Sequence, residues 1–456
     1  MVKQIRDYVQ TAIPKLKKTI DNCKSQLDGV FNVEELSEEE RINTASAIEA
    51  RIKELETLVH MTTRDNLAAK HALQGETLSK YWINLNKTKP PRDTLYRLKK
   101  TTLPGKPPEY KTRSDQMADI AKNYHETLQK QNINDHIPKE QFNEVLDHLQ
   151  PQVDETAKQR MQALITAPEI ADAMKGLPHG KAAGIDGIPY EFWVYLQQKF
   201  DTKNPRSFNI LRLLTLVFND IEKHGIAAQT DFAKGWLCPL YKKGDITEIG
   251  NYRPITVLNT DYRIFTWVLT FRLSKVAPQL VHQDQAGFMK NRRIEDLTEL
   301  VKLMIANCEL NEENGVIVCL DQEKAYDKIR HEFLWATLEK FGLPEHFIKT
   351  VQALYQDAET VVILNGVLSL PYKVVRGVRQ GDPLSCLLFN LAIESLASML
   401  QASQLRGFTI PGKADKLIAK LFADDTTVYL SQEDNYNDLT KILKIWCRAS
   451  VRVMLT

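Results

Sequence analysis

The chain has 456 residues, of which 43% are hydrophobic and 26% are charged. These proportions exclude a chain that is disordered throughout and predict a sizeable core. The length leaves room for two or three domains or for one large multi-lobed enzyme. Sixty Lys and Arg residues stand against 58 Asp and Glu residues, so the net charge is only +2. The total charge therefore does not by itself indicate nucleic-acid binding.

The cysteines and the amino terminus bear on the compartment. The six cysteines stand far apart and form no C-x-x-C pair, which is typical of a reduced protein rather than of a zinc site or a disulfide framework. The first residues, MVKQIRDYVQ, carry charges where a signal peptide needs an apolar stretch, and no run of about 18 apolar residues occurs. We therefore expect an intracellular protein with neither an export signal nor a membrane span.

An acidic helix is predicted near the amino terminus. Residues 30–60 carry more Glu than Lys and Arg, and apolar residues recur at helical spacing at Ile48, Ile52, Leu55 and Val59. This pattern predicts a solvated amphipathic helix or a short coiled coil. A partner helix is compatible with the pattern but is not required by it.

A basic segment with aromatic residues follows. Residues 80–113 contain ten Lys or Arg residues and only two acids, interleaved with Tyr81, Trp82, Tyr96 and Tyr110 and broken by prolines at 90, 91, 104, 107 and 108. Cations that bind phosphates, together with exposed rings that stack on bases, are typical of single-stranded nucleic-acid binding. A basic, proline-rich linker explains the same composition equally well.

From about residue 155 the pattern alternates between strands and helices. The apolar run Val316–Leu320 predicts a buried strand, and Asp321 stands at its carboxyl end. Two helices follow, with apolar faces formed by Leu334, Leu338 and Phe341 and by Phe347, Val351 and Leu354.

Two hairpins and a long helix complete the pattern. Asn365-Gly366 predicts a tight turn, because both residues accept positive φ angles. Asp382 as N-cap and Pro383 at the first helical position predict the start of an apolar helix. Residues 417–422 and 427–430 flank a second turn, Ala423-Asp424-Asp425-Thr426. This order predicts an α/β fold, a palm with helices on one face of a small sheet.

Three carboxylates can converge in such a fold. Asp321 ends one strand and Asp424-Asp425 lie in a hairpin turn, so the three meet if these strands are neighbours. Their mutual repulsion implies a bound cation, and oxygen-only ligands favour magnesium. Two such ions about 4 Å apart can activate a primer 3′-hydroxyl and stabilise a leaving pyrophosphate. On spacing alone, a polar turn without metal explains the Asp pair as well.

Five further segments stand out in chain order: YKKGDITEIGNYRPITVLNTDYRIFTWVLTFRL (241–273), QAGFMKNRRIEDL (285–297), CLDQEKAYDKIRHEFLWATLEKFG (319–342), RGVRQGDPLSCLLFNLAIE (376–394) and LFADDTTVY (421–429). They resemble, in the right order, the successive blocks of the reverse transcriptases of non-LTR, LINE-type retrotransposons. Upstream, HGKAAGIDGIPYEFW (179–193) is similar to an extra amino-terminal block of these elements, and QGETLSKYWINLNK (74–87) to the segment that joins endonuclease and polymerase. The resemblance covers about residues 65–456.

The resemblance implies a right-hand polymerase with fingers and palm and a helical N-terminal extension. The predicted segments are a helical, coiled-coil-like part at 1–62, a basic linker and N-terminal extension at 63–175, fingers at 176–313 and a palm at 314–456. The reverse transcriptase domain itself is expected at about 222–456. The thumb and the endonuclease of the family are expected to be missing, which predicts a fragment of an element.

The resemblance also assigns metal ligands and a selectivity residue. The family's ligands for two Mg²⁺ ions, or Mn²⁺, fall on Asp321 and Asp424, with Asp425 beside them and the backbone carbonyl of Gln322 as a further ligand. The aromatic gate that excludes a 2′-hydroxyl, and so favours dNTPs over rNTPs, falls on Tyr326. Ordinary core packing is the alternative for this tyrosine.

The incoming triphosphate is expected to meet cations and a close backbone. The resemblance implies Arg253 for the triphosphate, with Lys242 or Lys243 as helpers, although solvated surface charges are the alternative for the lysines in particular. Gln380 is expected to contact the nucleotide, and Gly381 to let backbone come close to it.

Nucleic-acid contacts and partners follow from the same resemblance. Lys290, Arg292 and Arg293 are implied as template contacts, with a plain basic loop as the alternative. Asn390 matches a family position near the site, but an interior amide often only ties two elements together. The implied partners are an RNA template, a DNA primer or target and dNTPs, and the implied location of a functional protein is the nucleus.

Three functions are open at this point. The first is an RNA-directed DNA polymerase, the second is an inactive truncated remnant that binds nucleic acid, and the third is a host-adopted scaffold that uses the acidic helix at 30–60. A viral-type RNA polymerase is disfavoured, since such enzymes usually carry Gly where this chain has Ala423 and a polar group where it has Tyr326. Gly176–Lys181 lacks the Ser or Thr of a phosphate-binding loop, so other nucleotide chemistry is weakly supported.

Overall fold

The structure is a computed structural model. It describes residues 2–30, 37–74, 94–100, 107–131, 137–150, 152–202, 207–227, 229–410 and 416–450.

Helices dominate the described residues. They are α1 Val2–Val30, α2 Glu38–Gln74, α3 Ser114–Lys130, α4 Lys139–Leu146, α5 Glu155–Gln162, α6 Ala167–Gly176, α7 Tyr190–Asp201, α8 Ile210–His224, α9 Thr260–Ser274, α10 Ala277–Leu280, α11 Ile294–Asn311, α12 Ala325–Lys328, α13 His331–Lys340, α14 Glu345–Gln356, α15 Ser385–Gln401 and α16 Tyr436–Ser450. A short 3₁₀ helix spans Ile249–Asn251.

Strands are shorter and lie mostly in the second half of the chain. They are β1 Leu98–Lys100, β2 Glu109–Lys111, β3 Gly235–Tyr241, β4 Tyr252–Leu258, β5 Gly315–Leu320, β6 Glu359–Leu364, β7 Val367–Leu368, β8 Tyr372–Lys373, β9 Phe408–Thr409, β10 Lys416–Leu417, β11 Ala419–Phe422 and β12 Asp425–Ser431. The mixture confirms the predicted α/β class.

The chain forms two compact units. The first comprises Met1–Tyr124, Cys238–Pro254 and Val362–Leu370, and the second comprises His125–Leu237, Ile255–Val361 and Pro371–Thr456. One sheet has the strand order β4-β3-β6-β7, and β8 also pairs with β6.

In the first unit, the predicted acidic helix is part of α2, and α1 is its partner. Ile52 and Leu55 of α2 are buried in one cluster with Ile20 and Leu27 of α1. These apolar residues recur at helical spacing, so each helix buries one stripe against the other. Arg41 of α2 is buried as well. The pair is therefore an antiparallel helical hairpin, as a chain with a short connection between two helices requires.

The basic segment at 80–113 is described only in part. Tyr81, Trp82 and the prolines at 90, 91 and 104 lie outside the described residues, as does almost all of the block at 74–87. The part that is described contains the β1–β2 hairpin. Several of its cations are already paired: Lys99 Nζ lies 2.8 Å from Glu248, Lys111 Nζ lies 2.8 Å from Glu109, and Arg97 covers the ring of Tyr110 at 4.9 Å.

The second unit is built around α15. Fourteen of the 17 residues of this helix are buried, which is the pattern of a helix that is surrounded by other elements. Helices α9, α13 and α16 contribute Phe265, Phe333 and Trp446 to the same core. The helix begins at Ser385 rather than at the predicted Pro383, because Leu384 already accepts the first helical hydrogen bond while Asp382 Oδ1 accepts from the Leu384 N–H at 3.1 Å.

A three-stranded antiparallel sheet in the order β11-β12-β5 lies against this core. Along β12, Val428 and Leu430 face the core around α15, whereas Tyr429 packs with Met304 of α11. Helices thus cover both faces, not only one as predicted, because the strand alternates its side chains between two apolar clusters.

Strand β5 is present as predicted, but its predicted burial is wrong. Only Leu320 of this strand is buried, and Val316 is 59% exposed. The strand forms the edge of its sheet and therefore has a neighbouring strand on one side only. A continuous apolar run alone could not distinguish this edge position from a central one.

The remaining predicted elements are confirmed. The apolar faces of α13 and α14 are buried, including Leu338 and Val351, and so is Phe341 directly after α13. Asn365 and Gly366 turn between β6 and β7 with φ angles of 49° and 87°. The second hairpin is also present, but Asp425 is the first residue of β12, so the turn itself contains only Ala423 and Asp424.

The structure describes two features on which the expected compartment was based. None of the helices in the described part of the chain is both long and apolar enough to cross a bilayer. All six cysteines lie in the described part, and none of them forms a disulfide.

A buried ionisable cluster lies where α15 meets the segment after α10. Glu394 is 2% exposed, its Oε2 has no hydrogen-bond partner, and burial raises its pKa to about 8. His282, Asp284 and Arg292 are the charged groups that face it. The Asp284 carboxylate lies 3.0 Å from His282 Nδ1 and pairs with Lys420, so a cation balances its charge.

The substitution Glu394→Gln should stabilise the protein more as pH rises. The pKa of Glu394 is about 8 in the folded protein and 4.5 for an ordinary glutamate. The folded state therefore retains a proton that the unfolded chain releases. The contribution of this group to the free energy of unfolding is fully present below about pH 4.5 and is lost as the pH rises through about 8. Urea unfolding at pH 6 and pH 9 should show a gain for the variant that is larger at pH 9, on the order of a few kcal/mol.

The matched control is Glu339→Gln, which makes the same change at an exposed position of α13. It should leave the pH dependence of unfolding unchanged. An equal stability difference at both pH values for Glu394→Gln would contradict the prediction.

Candidate active site

The pairing of β5 with β12 brings two distant parts of the chain together. Leu320 pairs with Thr426, the last pair of the ladder at this end. One position further, Asp321 follows β5 and Asp425 begins β12, so the two stand opposite each other. Because side chains alternate along a strand, both extend the face that carries Tyr429.

The carboxylates differ in exposure. Asp321 and Asp425 are exposed, and Asp424, in the turn, is half-buried. No group of three His, Cys, Asp or Glu side chains in the described ranges stands in metal-binding geometry. The donors nevertheless suit magnesium, which uses one or two protein carboxylates and completes its shell with water and substrate phosphates. The residues thus fit Mg²⁺ by donor chemistry, and the predicted closure of all three carboxylates is absent from this structure.

Gln322 lies directly beside these carboxylates and is buried. Its side chain is 6% exposed, and neither the amide oxygen nor the amide nitrogen has a hydrogen-bond partner. Thr426 across the ladder is also buried with an unpartnered hydroxyl. Buried polar atoms without partners cost free energy and are therefore rare, and a functional role is one reason for which they are retained.

Tyr326, the predicted gate, stands next to the turn. Its ring stacks on Phe389 of α15, with centroids 4.4 Å apart and planes inclined by 11°. Burial raises the pKa of the Tyr326 phenol, and the Cys386 thiol and the Asp424 carboxylate add to this shift. The ring is therefore half-buried in the core and also close to a predicted metal ligand, so core packing and the gate role are compatible.

The backbone around Tyr326 is held by the segment that precedes α15. The Val378 N–H donates to the Tyr326 carbonyl at 2.7 Å, and the Gly377 N–H donates to the Ile329 carbonyl at 2.6 Å. A Cβ on Gly377 would lie 2.5 Å from the Tyr326 carbonyl oxygen. These two backbone segments therefore approach each other more closely than a residue with a side chain at position 377 would allow. The position of the ring is thus set by backbone contacts on one side and by Phe389 on the other.

The predicted nucleotide-binding residues lie on the loop that leads into α15. The carbonyl of Gln380 accepts from the Thr256 N–H of β4 at 2.7 Å. Gly381 is exposed, has a φ angle of +119°, and would place a Cβ 2.2 Å from the Thr256 carbonyl oxygen. The close neighbour of Gly381 in this structure is thus β4, and its approach to a nucleotide stays a prediction.

A buried network that sequence reasoning missed supports this loop. Arg379 is 4% exposed, and its guanidinium lies over the rings of Tyr262 and Tyr355 at 5.5 and 5.9 Å. The Tyr262 hydroxyl donates to Asp382 Oδ2 at 3.1 Å, and burial raises the pKa of that carboxyl. The only signal in the sequence was the adjacency of Arg379 to Gln380, because the partner tyrosines are distant in the chain.

The predicted template cations divide into two kinds. Arg292 donates to three backbone carbonyls, those of His282 at 2.5 Å, Gln285 at 2.7 Å and Val281 at 3.2 Å. This use of the guanidinium orders the loop itself. Lys290 and Arg293 are exposed, and a template contact stays a prediction for them.

The predicted triphosphate cations belong to the first unit. Lys242 and Lys243 are exposed in the turn after β3, and Arg253 is exposed on β4. The Lys242 N–H donates to the Asn251 carbonyl at 3.0 Å, which closes this turn. Their role toward a nucleotide stays a prediction.

Comparison with known proteins identifies the domain. Residues 240–453 match the family model described as reverse transcriptase (RNA-dependent DNA polymerase). This part of the chain has the sequence of a reverse transcriptase domain. The match contains β5, α15 and the β11–β12 hairpin, and so contains Asp321, Asp424 and Asp425.

Curated relatives of the reverse transcriptase domain come from retrotransposons without long terminal repeats, which confirms the resemblance. The transposon TX1 uncharacterized 149 kDa protein of Xenopus laevis is 32% identical over 275 residues, 60% of this chain and 20% of the relative. A retrovirus-related Pol polyprotein from the type-1 retrotransposable element R2 of Popillia japonica is 29% identical over 272 residues, 59% of this chain and 35% of the relative. The probable RNA-directed DNA polymerase from transposon BS of Drosophila melanogaster is 24% identical over 262 residues, 55% of this chain and 26% of the relative. The matched region thus spans only about a fifth to a third of each relative.

The substitution Gly381→Ala should disturb the reverse transcriptase domain by steric overlap as well as by backbone strain. The new Cβ would meet the Thr256 carbonyl oxygen, so the loop that carries Gln380 must move away from β4. We expect a loss of stability greater than the roughly 1–2 kcal/mol that a positive φ costs an alanine. Urea unfolding measures this loss, and in a primer-extension assay the KM for dNTP should rise.

Gly366→Ala is the matched control, since Gly366 has a φ angle of +87° but nothing within 4 Å of an added Cβ. It carries the cost of backbone strain alone. Equal destabilisation by the two substitutions would show that the contact with β4 is unimportant.

Proposed function

We propose that this protein is an RNA-directed DNA polymerase of a non-LTR retroelement, which adds dNTPs to a primer 3′-hydroxyl on an RNA template. The observation that carries the proposal is the pairing of Leu320 with Thr426 inside the reverse transcriptase domain. This pairing aligns Asp321 with Asp425 and places Asp424 in the adjoining turn. The truncated-remnant and scaffold alternatives have no comparable support in the described residues.

In this proposal the protein contributes orientation and charge. Asp321 and Asp424 would hold Mg²⁺ through their carboxylates, with Asp425 and the Gln322 carbonyl beside them. The chemistry that the metal would supply is activation of the attacking hydroxyl and neutralisation of the charge on the leaving pyrophosphate. Tyr326 lies under the sugar of the incoming nucleotide, and its ring occupies the space that a 2′-hydroxyl needs.

The remaining predicted residues bind substrate. Gln380 and Gly381 contact the nucleotide, Arg253 and Lys242 balance the triphosphate, and Lys290 and Arg293 contact template phosphates. These cations are exposed, which suits ligands that arrive from solvent. A protein that copies RNA into chromosomal DNA would act in the nucleus.

Replacing Asp424 by Asn should abolish primer extension while the fold is retained. The change removes a charged metal ligand, and metal stabilisation of the transition state is worth several kcal/mol, so we expect extension to fall by roughly 100-fold or more. The measurement is extension of a labelled primer on matched RNA and DNA templates with Mg²⁺ and dNTPs.

Asp172→Asn is the control, because it removes the same charge from an exposed position on α6 that pairs only with Lys175 on the surface. It should extend the primer like the wild type. Extension by Asp424→Asn at the wild-type rate would disprove the metal assignment, and no extension by the wild type on either template would favour the remnant.

Replacing Tyr326 by Val should relax discrimination against ribonucleotides. Loss of the ring opens space for a 2′-hydroxyl, and steric selection of this size is worth about 10- to 200-fold. The ratio of kcat/KM for dNTP to that for the matching rNTP measures the effect. Tyr326→Phe retains the ring that stacks on Phe389 and should retain discrimination; if both variants discriminate like the wild type, Tyr326 is a core residue only.

A further inference from the structure

The turn that carries Asp424 is held by hydrogen bonds to one buried side chain from another part of the sequence. Gln285 is 1% exposed and lies in the segment after α10. Its Oε1 accepts from the Ala423 N–H at 2.8 Å, and its Nε2 donates to the Ala423 carbonyl at 3.2 Å. Both backbone polar groups of Ala423 are thus bound by one amide.

Ala423 needs such support because of its conformation. Its φ angle is +56°, in the left-handed region, where a residue with a Cβ is less stable by about 1–2 kcal/mol. The next residue is Asp424, so the φ and ψ angles of Ala423 set the direction in which the chain enters this carboxylate. Two hydrogen bonds from a buried amide can maintain an otherwise unfavourable backbone conformation.

The segment that carries Gln285 is itself fixed against the sheet. The Ala286 N–H donates to the Leu421 carbonyl at 2.8 Å, and the Leu421 N–H donates to the Asp284 carbonyl at 2.9 Å, which adds a short parallel pairing to β11. Gln285 Oε1 also accepts from the Gly287 N–H at 2.8 Å. Asn390 of α15 donates to the Gly287 carbonyl at 2.7 Å, so this amide ties two elements together, as the structural alternative predicted.

Gly287 completes the contact. A Cβ at this position would lie 2.3 Å from the Ala423 nitrogen. The two backbones therefore approach to a distance that only glycine allows. The turn is enclosed between its own hairpin and the 284–287 segment, and it has little room to rotate.

We propose that Gln285 is a positioning residue for catalysis, which holds the Ala423-Asp424 turn in the conformation that presents Asp424 to the metal. The inference rests on the proposed function, because it assumes that Asp424 is a metal ligand. Loss of the clamp would let the turn relax toward ordinary φ values and displace the carboxylate. A displacement of about 1 Å can cost up to about 100-fold in rate.

The test compares Gln285→Met with Asn219→Leu. Asn219 forms an equivalent clamp elsewhere in the second unit, since its amide accepts from the Ile165 N–H at 2.8 Å and donates to the Ile165 carbonyl at 2.9 Å. Three properties are measured. The first is the thermal midpoint of unfolding, and the second is Mn²⁺ binding to the protein without substrates, detected by electron paramagnetic resonance. The third is kcat and KM for primer extension.

We expect the two variants to lose similar stability but to differ at the site. Gln285→Met should weaken Mn²⁺ binding several-fold and lower kcat by about 10- to 100-fold, whereas Asn219→Leu should alter neither. Gln285→Glu retains the acceptor for the Ala423 N–H and should fall between Gln285→Met and the wild type; if Gln285→Met does not fold, this variant provides the comparison.

The outcomes separate the inference from the proposed function. Mn²⁺ affinity that is the same in the wild type and both Gln285 variants, or absent from the wild type, would overturn the positioning role. A wild type that extends no primer would reject the polymerase function, yet the Mn²⁺ comparison would still decide whether Gln285 positions the turn.

Discussion

The pairing of Leu320 with Thr426 sets the register between β5 and β12, and the candidate site depends on that register. A slip by one residue would move Asp425 to the opposite face of the sheet, because side chains alternate along a strand. Two apolar clusters oppose such a slip, since Val428 and Leu430 face α15 while Tyr429 faces α11. The polar residues at the end of the sheet are thus aligned by hydrophobic packing in its middle.

The charged groups are distributed in a way that the near-neutral total conceals. Cations in the described part of the basic segment pair with Glu109 and Glu248. Glu394 is buried with an unpartnered oxygen behind the segment that grips the turn. Exposed Asp321 and Asp425, in contrast, keep their charges in solvent at the end of the sheet. Exposed ion pairs such as those of Glu109 and Glu248 contribute little to the free energy of unfolding. The charges that cost most free energy are therefore those in the core and at the site.

Two predicted site residues in the second unit, Tyr326 and Gln380, are supported by contacts that the sequence did not reveal. Tyr326 stacks on Phe389 and is held through its carbonyl by Val378. The loop with Gln380 rests on β4 and on the buried pair Arg379 and Tyr262. Apart from Arg379, which adjoins Gln380, these partners are distant in the chain, so no local pattern could identify them.

The sequence by itself determined the elements with a clear period or a defined turn residue: the helices α13 and α14, the Asn365-Gly366 turn and the order of blocks that resembles a reverse transcriptase. It also located the carboxylates, because the chemistry of metal ligands restricts the residue types. Only the tertiary structure decided that β5 is an exposed edge strand, that Arg292 donates to carbonyls of its own loop and that Gln285 binds both backbone polar groups of Ala423. Burial and hydrogen bonding between distant segments depend on how elements pack, and periodicity along one segment carries no information about its neighbours.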